Sequence, residues 1–407
     1  MLTGQLRPTR AIEEKTPKYE SAGSVSEMAD LLKLLLCVAE KAANVARVCR
    51  QEASLFELLV QEKTGVDKNK KFVQDFKTLA DVVIQEMIRH DVGAQFPEMI
   101  DHIHGEESNK FENGLGESVI VTVCGTEKET AALLATVLDG DLTAAGLLAQ
   151  AIHQDARLML TDTGTENLHI PLCPSNLGIW IDPIDATSQY IKGCEEGAEG
   201  HLCPSGLQCA LVLIGVYLHA TGEPVMGVIN QPFNHKHTTG WKGKHFWGVS
   251  YGSIKASSVL RPEDRRAERP GLSVVLSSSE KQVVKDALGP LCEPDRLMYA
   301  SGAGNKILCV ILGLADVYVL SEGSTFKWDS CGPHALLRSL GGGMVDLKKC
   351  LSSVDSEGRG REKGELTYHQ PNANCAGADR WANQGGLVAY LDCQTLQTVI
   401  KELKGKF

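Results

Sequence analysis

The chain has 407 residues, 43% hydrophobic and 23% charged, which is apolar material for two packed subdomains rather than one ordinary domain. Its net charge of −10 argues against a protein that works by neutralising nucleic-acid phosphates. The 13 cysteines include no Cys-x-x-Cys pair, which excludes a zinc ribbon or a thioredoxin-type motif, and no apolar run is long enough for a transmembrane helix. Reduced, mostly buried thiols in a cytoplasmic protein are the expectation.

The first 27 residues are polar and lack the apolar centre of a signal peptide; they read as a disordered N-terminal extension. From Met28, apolar residues at helical spacing (Leu31, Leu35, Val38, Ala42, Val45) predict a helix to about residue 50, and a second helix is expected over Ser54 to Gln61. Lys68-Asn69-Lys70-Lys71 reads as a loop, either solvated or facing an anionic ligand. Thr78 with Asp81 resembles a capping box, whose last place normally holds Glu or Gln, opening a helix to about His90. Residues 117–170 carry two short helical patterns, Thr130 to Leu138 and Ala144 to His153, and read as an insertion.

Leu177 to Ile181 predicts a buried strand stopped by Pro183. Gln208 to Tyr217 and Pro224 to Ile229 predict two more, joined at Thr221-Gly222, and Trp241 to Trp247 suggests a further hairpin. The charged stretch 255–271, with Pro262 and Pro270, predicts a linker between an N-terminal α+β unit over 28–254 and a C-terminal α/β unit over 272–407. In the second unit Leu272 to Ser277 and Asp316 to Leu320 read as strands. Helices are expected from about Ser279, over Gly304 to Leu314, and over Asp329 to Leu340, the last capped by Gly341 to Gly343.

Three separated acidic motifs stand out: His104-Gly105-Glu106-Glu107-Ser108, Asp182-Pro183-Ile184-Asp185-Ala186-Thr187, and Trp328-Asp329-Ser330, with Asp81 as a fourth element. An apolar strand delivers Asp182 to its end, and Pro183 fixes a turn that lets Asp182 and Asp185 enter one pocket while the Ile184 carbonyl stays free. Converging carboxylates repel one another unless cations neutralise them, and oxygen-only donors suit a hard divalent ion. The amides of Ala186 and Thr187 would face outward as anion donors. Taken singly, each motif also has a bland reading: a solvated turn for Glu106-Glu107, and a helix N-cap for Asp182 or Asp329. His102-x-His104 lacks a third ligand nearby and reads as ordinary strand or loop histidines.

Gly-Glu-Glu, Asp-Pro-Ile-Asp-x-Thr and Trp-Asp in this order resemble the lithium-sensitive, magnesium-dependent phosphatases that include inositol monophosphatase and fructose-1,6-bisphosphatase, over most of residues 28–395. Asp75 to Asp81, the long segment between Glu106 and Asp182, Gly302-Ala303-Gly304 and Gly313 to Asp316 are similar to members that act on inositol polyphosphates. The resemblance implies an α/β (α+β) fold, a layered αβαβα sandwich. It also implies hydrolysis of the 1-phosphate of inositol 1,4-bisphosphate and inositol 1,3,4-trisphosphate, with two or three Mg2+ ions and Li+ as inhibitor. Asp81, Glu106, Glu107, Asp182, the Ile184 carbonyl, Asp185 and Asp329 would hold metal; Asp81, Glu106 and Thr187 would be catalytic, with Asp81 and Thr187 orienting and helping to deprotonate the attacking water. Ala186, Thr187, Ser279, Lys281, Gly302, Ala303 and Lys306 would contact substrate; Lys306 reads equally as a solvated helix lysine. Ala186 stands where the family usually has Gly or Ser, and Pro333 is expected in the first turn after Asp329. The alternatives are a 3′(2′),5′-bisphosphate nucleotidase and a non-catalytic inositol phosphate-binding protein. A small-molecule substrate, no nucleic-acid or membrane partner, and a monomeric state complete the expectations.

Overall fold

Apolar side chains at helical spacing bury one face of α1 (Val25–Gln51), the element that opens the chain in a computed structural model. The residues described are 25–51, 60–63, 65, 68, 75–113, 115–155, 164–165, 168–195, 202–262, 271–352 and 364–406. After α1 come β1 (Val60–Glu62), β2 (Phe76–Thr78), α2 (Leu79–Gln95), β3 (Ile103–Gly105), β4 (Lys110–Glu112), β5 (Ser118–Ile120), α3 (Glu127–Val137) and α4 (Leu142–His153). The chain continues through β6 (Leu177–Asp185), α5 (Thr187–Lys192), β7 (Leu211–Leu218), β8 (Pro224–His237), β9 (Gly240–Tyr251) and β10 (Ile254–Ser257). The last part holds β11 (Leu272–Leu276), α6 (Gln282–Leu288), β12 (Cys292–Tyr299), α7 (Ala303–Ile311), β13 (Val317–Leu320), α8 (Lys327–Ser339), β14 (Gly343–Asp346), α9 (Leu347–Ser352), β15 (Leu387–Tyr390) and α10 (Cys393–Leu403).

Two main sheets form, ordered β10-β9-β8-β7-β6-β3 and β12-β11-β13-β15-β14. Period-two alternation assigns their faces. In the first sheet Ile179, Ile181, Val212, Ile214 and Val216 pack with α1 and α2, while Trp180, Leu211 and Leu213 face α7 and α8. In the second, Val275, Tyr318 and Ala389 face the same two helices, and Val274, Val317, Val319 and Val388 pack outward with α6 and α10. The layers therefore run α, β, α, β, α, as expected from the sequence.

The helix α8 lies close against the first sheet because glycines remove the side chains between them. Gly215, Gly227 and Gly248 pair across β7, β8 and β9 in one register line. A Cβ on Gly227 would lie 2.1 Å from the Gly332 carbonyl oxygen, and one on Gly215 would lie 2.3 Å from the Gly332 nitrogen. This contact fixes the depth at which α8 presents Asp329.

Several elements differ from the sequence reading. Pro183 does not stop β6; the strand continues to Asp185 through a register shift, where a missing N–H is tolerated. Trp241 to Trp247 is no separate hairpin but part of β9, which pairs antiparallel with β8. Val60 and Gln61 are strand, and the rest of the helix expected over Ser54 to Gln61 lies outside the described residues. Of the linker over 255–271, Lys255 to Ser257 belong to β10, and 263–270 lie outside the described residues. The extension over 1–27 lies outside them to residue 24, and helix begins at Val25. Of the basic run, Lys68 is described and 69–71 are not. β12 was not anticipated. All thirteen cysteines are free thiols, and only Cys194 is exposed.

Candidate metal centre and active site

In a regular strand, residues 182 and 185 would point to opposite faces. The register shift in β6 places Asp182 opposite Leu213 and Asp185 opposite Leu211, and those two leucines share one face. The extra residue thus turns both carboxylates toward α7 and α8. Asp329 comes from the first turn of α8, and one carboxylate oxygen from each of Asp182, Asp185 and Asp329 lies within 4.8 Å of the others. Oδ1 of Asp182 is buried without a hydrogen-bond partner. An orphaned buried oxygen on one member of a cluster of three carboxylates has the donor chemistry of a hard divalent cation site.

Asp185, Asp329 and Asp81 are held from behind. Asp185 accepts from the backbone N–H of Ala303 (3.2 Å) and Gly304 (2.9 Å), at the N-terminus of α7. A Cβ on either Gly302 or Gly304 would come within 2.9 Å of Asp185 Oδ2, so both glycines allow the close approach. Asp329 is not the N-cap of α8 but sits two residues inside it, where Oδ2 accepts the Phe326 N–H at 2.6 Å. Asp81 completes the capping box of α2, Oδ2 accepting from the Thr78 N–H (2.6 Å) and hydroxyl (2.7 Å).

Glu106 and Glu107 follow β3 and are no solvated turn. Both pair with the buried Lys63, at 2.5 and 2.6 Å, and Gln85 brackets the Glu107 backbone by accepting its N–H and donating to its carbonyl. Lys63 and Gln85 were not found in the sequence. Lys63 lies 43 residues before Glu106 and carries no local motif that ties it to the acids.

Burial pushes Asp81, Glu107, Asp182, Asp185 and Asp329 up. Asp81 rises to about 7, with Glu106 adding to the effect and the Thr78 bonds opposing it. Asp185 rises to about 6, limited by Lys306 and by the Ala303 amide. Glu107 rises to about 8 despite Lys63. Asp182 and Asp329 lie well above the carboxylate range through burial and through the surrounding acids. Burial pulls the Lys63 ammonium down, yet Glu106 and Glu107 outweigh it and hold it well above its ordinary value. Without a cation the cluster keeps protons, as expected for a preformed metal site.

The remaining expected residues are distributed around this centre. Ala186 adopts φ 65° between β6 and α5, a left-handed conformation that suits Gly and strains a residue with a Cβ. The Ile184 carbonyl is not free: the Thr187 hydroxyl donates to it at 3.0 Å. Lys306 is only 5% exposed, so it is no solvated lysine; its ammonium donates to the carbonyls of Ala300 (3.2 Å) and Gly302 (2.5 Å). Ser279 and Lys281 stand on the loop after β11, beside Ser277 (2.9 Å) and Glu322 (2.8 Å). Pro333 sits in the second turn of α8, because the helix starts at Lys327. Lacking an N–H, it withholds the usual helical bond from the Asp329 carbonyl. His104 lies against Trp180 and Trp381, its imidazole lowered to about 4 by burial. Among the described residues, the aspartate trio is the only metal-type cluster.

The chain is similar to inositol polyphosphate 1-phosphatase of Bos taurus, 48% identical over 394 residues that cover 92% of this chain and 97% of that protein. The extragenic suppressor protein suhB from Bartonella henselae shares the fold, with TM-score 0.51 and 13% identity over 93% of this chain and all of that one. So does an IMPase/NADP phosphatase solved with Mg2+ and phosphate, with TM-score 0.50 and 13% identity over 94% and 97% of the two chains. The inositol monophosphatase family pattern matches residues 31–396, and with the acids assembled as described, the chain belongs to the inositol monophosphatase family.

Proposed function

We propose that this protein is a magnesium-dependent phosphomonoesterase that removes the 1-phosphate of inositol 1,4-bisphosphate and inositol 1,3,4-trisphosphate and is inhibited by lithium. The observation that carries the reading is the turned pair Asp182 and Asp185, closed by Asp329 around an unpartnered Asp182 oxygen. It occurs in a chain that aligns over 92% of its length with an inositol polyphosphate 1-phosphatase. Glu106, Glu107, Asp182, Asp185, Asp329 and the Ile184 carbonyl would hold the magnesium ions. When bound, such ions polarise the phosphoryl group and increase the acidity of the attacking water.

The chain's own groups supply the rest. Asp81 receives both Thr78 donations on Oδ2, which leaves Oδ1 to take a proton from the water, and a carboxyl near 7 is matched to that task. The Thr187 hydroxyl spends its proton on the Ile184 carbonyl, so its oxygen accepts from the water and orients it. As the water oxygen bonds to phosphorus, the P–O bond to the inositol C1 oxygen breaks, and that oxygen leaves as a hydroxyl by taking a proton from solvent, which balances the one passed from the water to Asp81. We place Ser279, Lys281 and the Gly302-Ala303 turn on the substrate side, and Lys306 beneath it. Residues 28–254 and 272–407 are proposed as the two units, and the cytoplasm as the compartment; no helix among the described residues is long and apolar enough to cross a membrane.

The test is phosphate release from inositol 1,4-bisphosphate, inositol 1-phosphate and 3′-phosphoadenosine 5′-phosphate, with and without magnesium and lithium. Magnesium-dependent, lithium-inhibited preference for the first is expected, with loss of at least 100-fold in Asp182→Asn (about 3 kcal/mol). Preference for the nucleotide would overturn the substrate, and full activity in Asp182→Asn would overturn the metal centre.

A further inference from the structure

A buried acid outside the metal centre ties two loops together. Glu280 follows β11 and is 4% exposed; Ser321 follows β13 and is 3% exposed. Oε2 of Glu280 accepts the Ser321 backbone N–H at 3.0 Å, and Oε1 accepts the Ser321 hydroxyl together with the Lys281 N–H at 2.8 Å. β11 and β13 are adjacent parallel strands, and β12 pairs with the other side of β11. The chain thus leaves β11 in one direction and later returns on its other side, so β11 marks a topological switch point. Ligands of open α/β sheets bind in the crevice beyond the carboxyl ends of strands at such a point.

What the clamp supports has a direction. On one side is the Ser277 to Lys281 loop, whose Lys281 ammonium is half exposed beside Glu322. On the other is the segment from Ser321 that leads into Phe326 and Asp329. A buried carboxylate satisfied by hydroxyl and amide donors, with no ion pair to a cation among the described residues, is a costly way to stabilise a loop. It does, however, fix three donors at one point. The geometry points to Glu280 as a positioning residue that holds Lys281 and the loop before Asp329 at a set separation, so that Lys281 meets an anionic group of the substrate remote from the reacting phosphate. This rests on the phosphatase reading above.

Glu280→Gln keeps the volume but replaces one acceptor oxygen with a donor, and Ser321→Ala removes the hydroxyl from the other side. Steady-state kinetics with inositol 1,4-bisphosphate should show KM raised about tenfold in each, with kcat within about twofold. The double variant should be no worse than the weaker single, because both break one clamp. With p-nitrophenyl phosphate, which has no second anionic group, KM should stay unchanged. Equal losses on both substrates, or a fall confined to kcat, would overturn the role and leave Glu280 a structural acid. Amide hydrogen exchange separates this from failure of the phosphatase reading. If the native protein turns over no inositol phosphate, faster exchange at 277–281 and 321–325 in Glu280→Gln still supports the clamp, and unchanged exchange overturns it.

Discussion

Asp81 does two jobs with one side chain. It closes the capping box of α2 and stands among the acids with its carboxyl raised to about 7. Thr78 links the jobs, since its hydroxyl both donates to Asp81 Oδ2 and accepts the Asp81 N–H. Thr78→Val should cost about 1 kcal/mol of stability through the lost cap. It should also raise the Asp81 carboxyl further, because a hydrogen bond that favoured the ionised form is gone. A base that must be ionised then fails at higher pH, so the acid limb of the kcat/KM profile moves to alkaline pH; Thr78→Ser should keep the native limb. Coincident profiles for the Val and Ser variants would remove Asp81 from the proton path. Asp81, Asp182, Asp185 and Asp329 were legible in the sequence because each sits in a local signature, a cap or a strand end. Lys63 and Glu280 were not, because their meaning comes from partners 43 and 41 residues away.

At the scale of elements, position depends on backbone devices that pattern reading handles poorly. A proline in an apolar run reads as a stop, yet in β6 it marks the irregularity that turns Asp185 to the same face as Asp182. The position of α8 depends on side chains that are absent. Gly227→Ala would place a Cβ 2.1 Å from the Gly332 carbonyl oxygen, a backbone atom that yields only if the helix lifts. Overpacking of this kind costs about 1–3 kcal/mol. Because α8 carries Asp329 while β6 carries Asp182 and Asp185, the lift should also loosen the trio and weaken magnesium binding at least tenfold (about 1.4 kcal/mol). Urea unfolding and calorimetric magnesium titration measure the two effects separately. A variant that loses stability but binds magnesium as the native protein does would show that α8 depth does not set the centre. The layers were legible only through the resemblance carried by the acidic motifs, whereas the glycine line needed the register of three strands.

The whole molecule gathers acids that do not favour one another, and this makes its stability depend on pH and cation together. Asp81, Asp185 and Glu107 have folded values of about 7, 6 and 8, all above those of free side chains. Asp182 and Asp329 shift the same way. Between about pH 4 and pH 8 these acids therefore bind more protons in the folded state than in the unfolded chain. The stability these groups contribute is fully present below about pH 4 and is lost as pH rises through the folded values, by an amount on the order of a few kcal/mol in the metal-free protein. A divalent cation held by the deprotonated set would stabilise only the folded state, by about 2.7 kcal/mol at a hundred times its dissociation constant. Urea midpoints in chelator should fall from pH 5 to pH 8, and saturating magnesium should raise the midpoint more at pH 8 than at pH 5. Asp182→Asn should flatten the chelator slope and reduce the magnesium gain, since it removes one titrating acid and one ligand. Equal magnesium gains at both pH values in the native protein would mean that the cation binds elsewhere, and that the buried acids hold their protons for another reason.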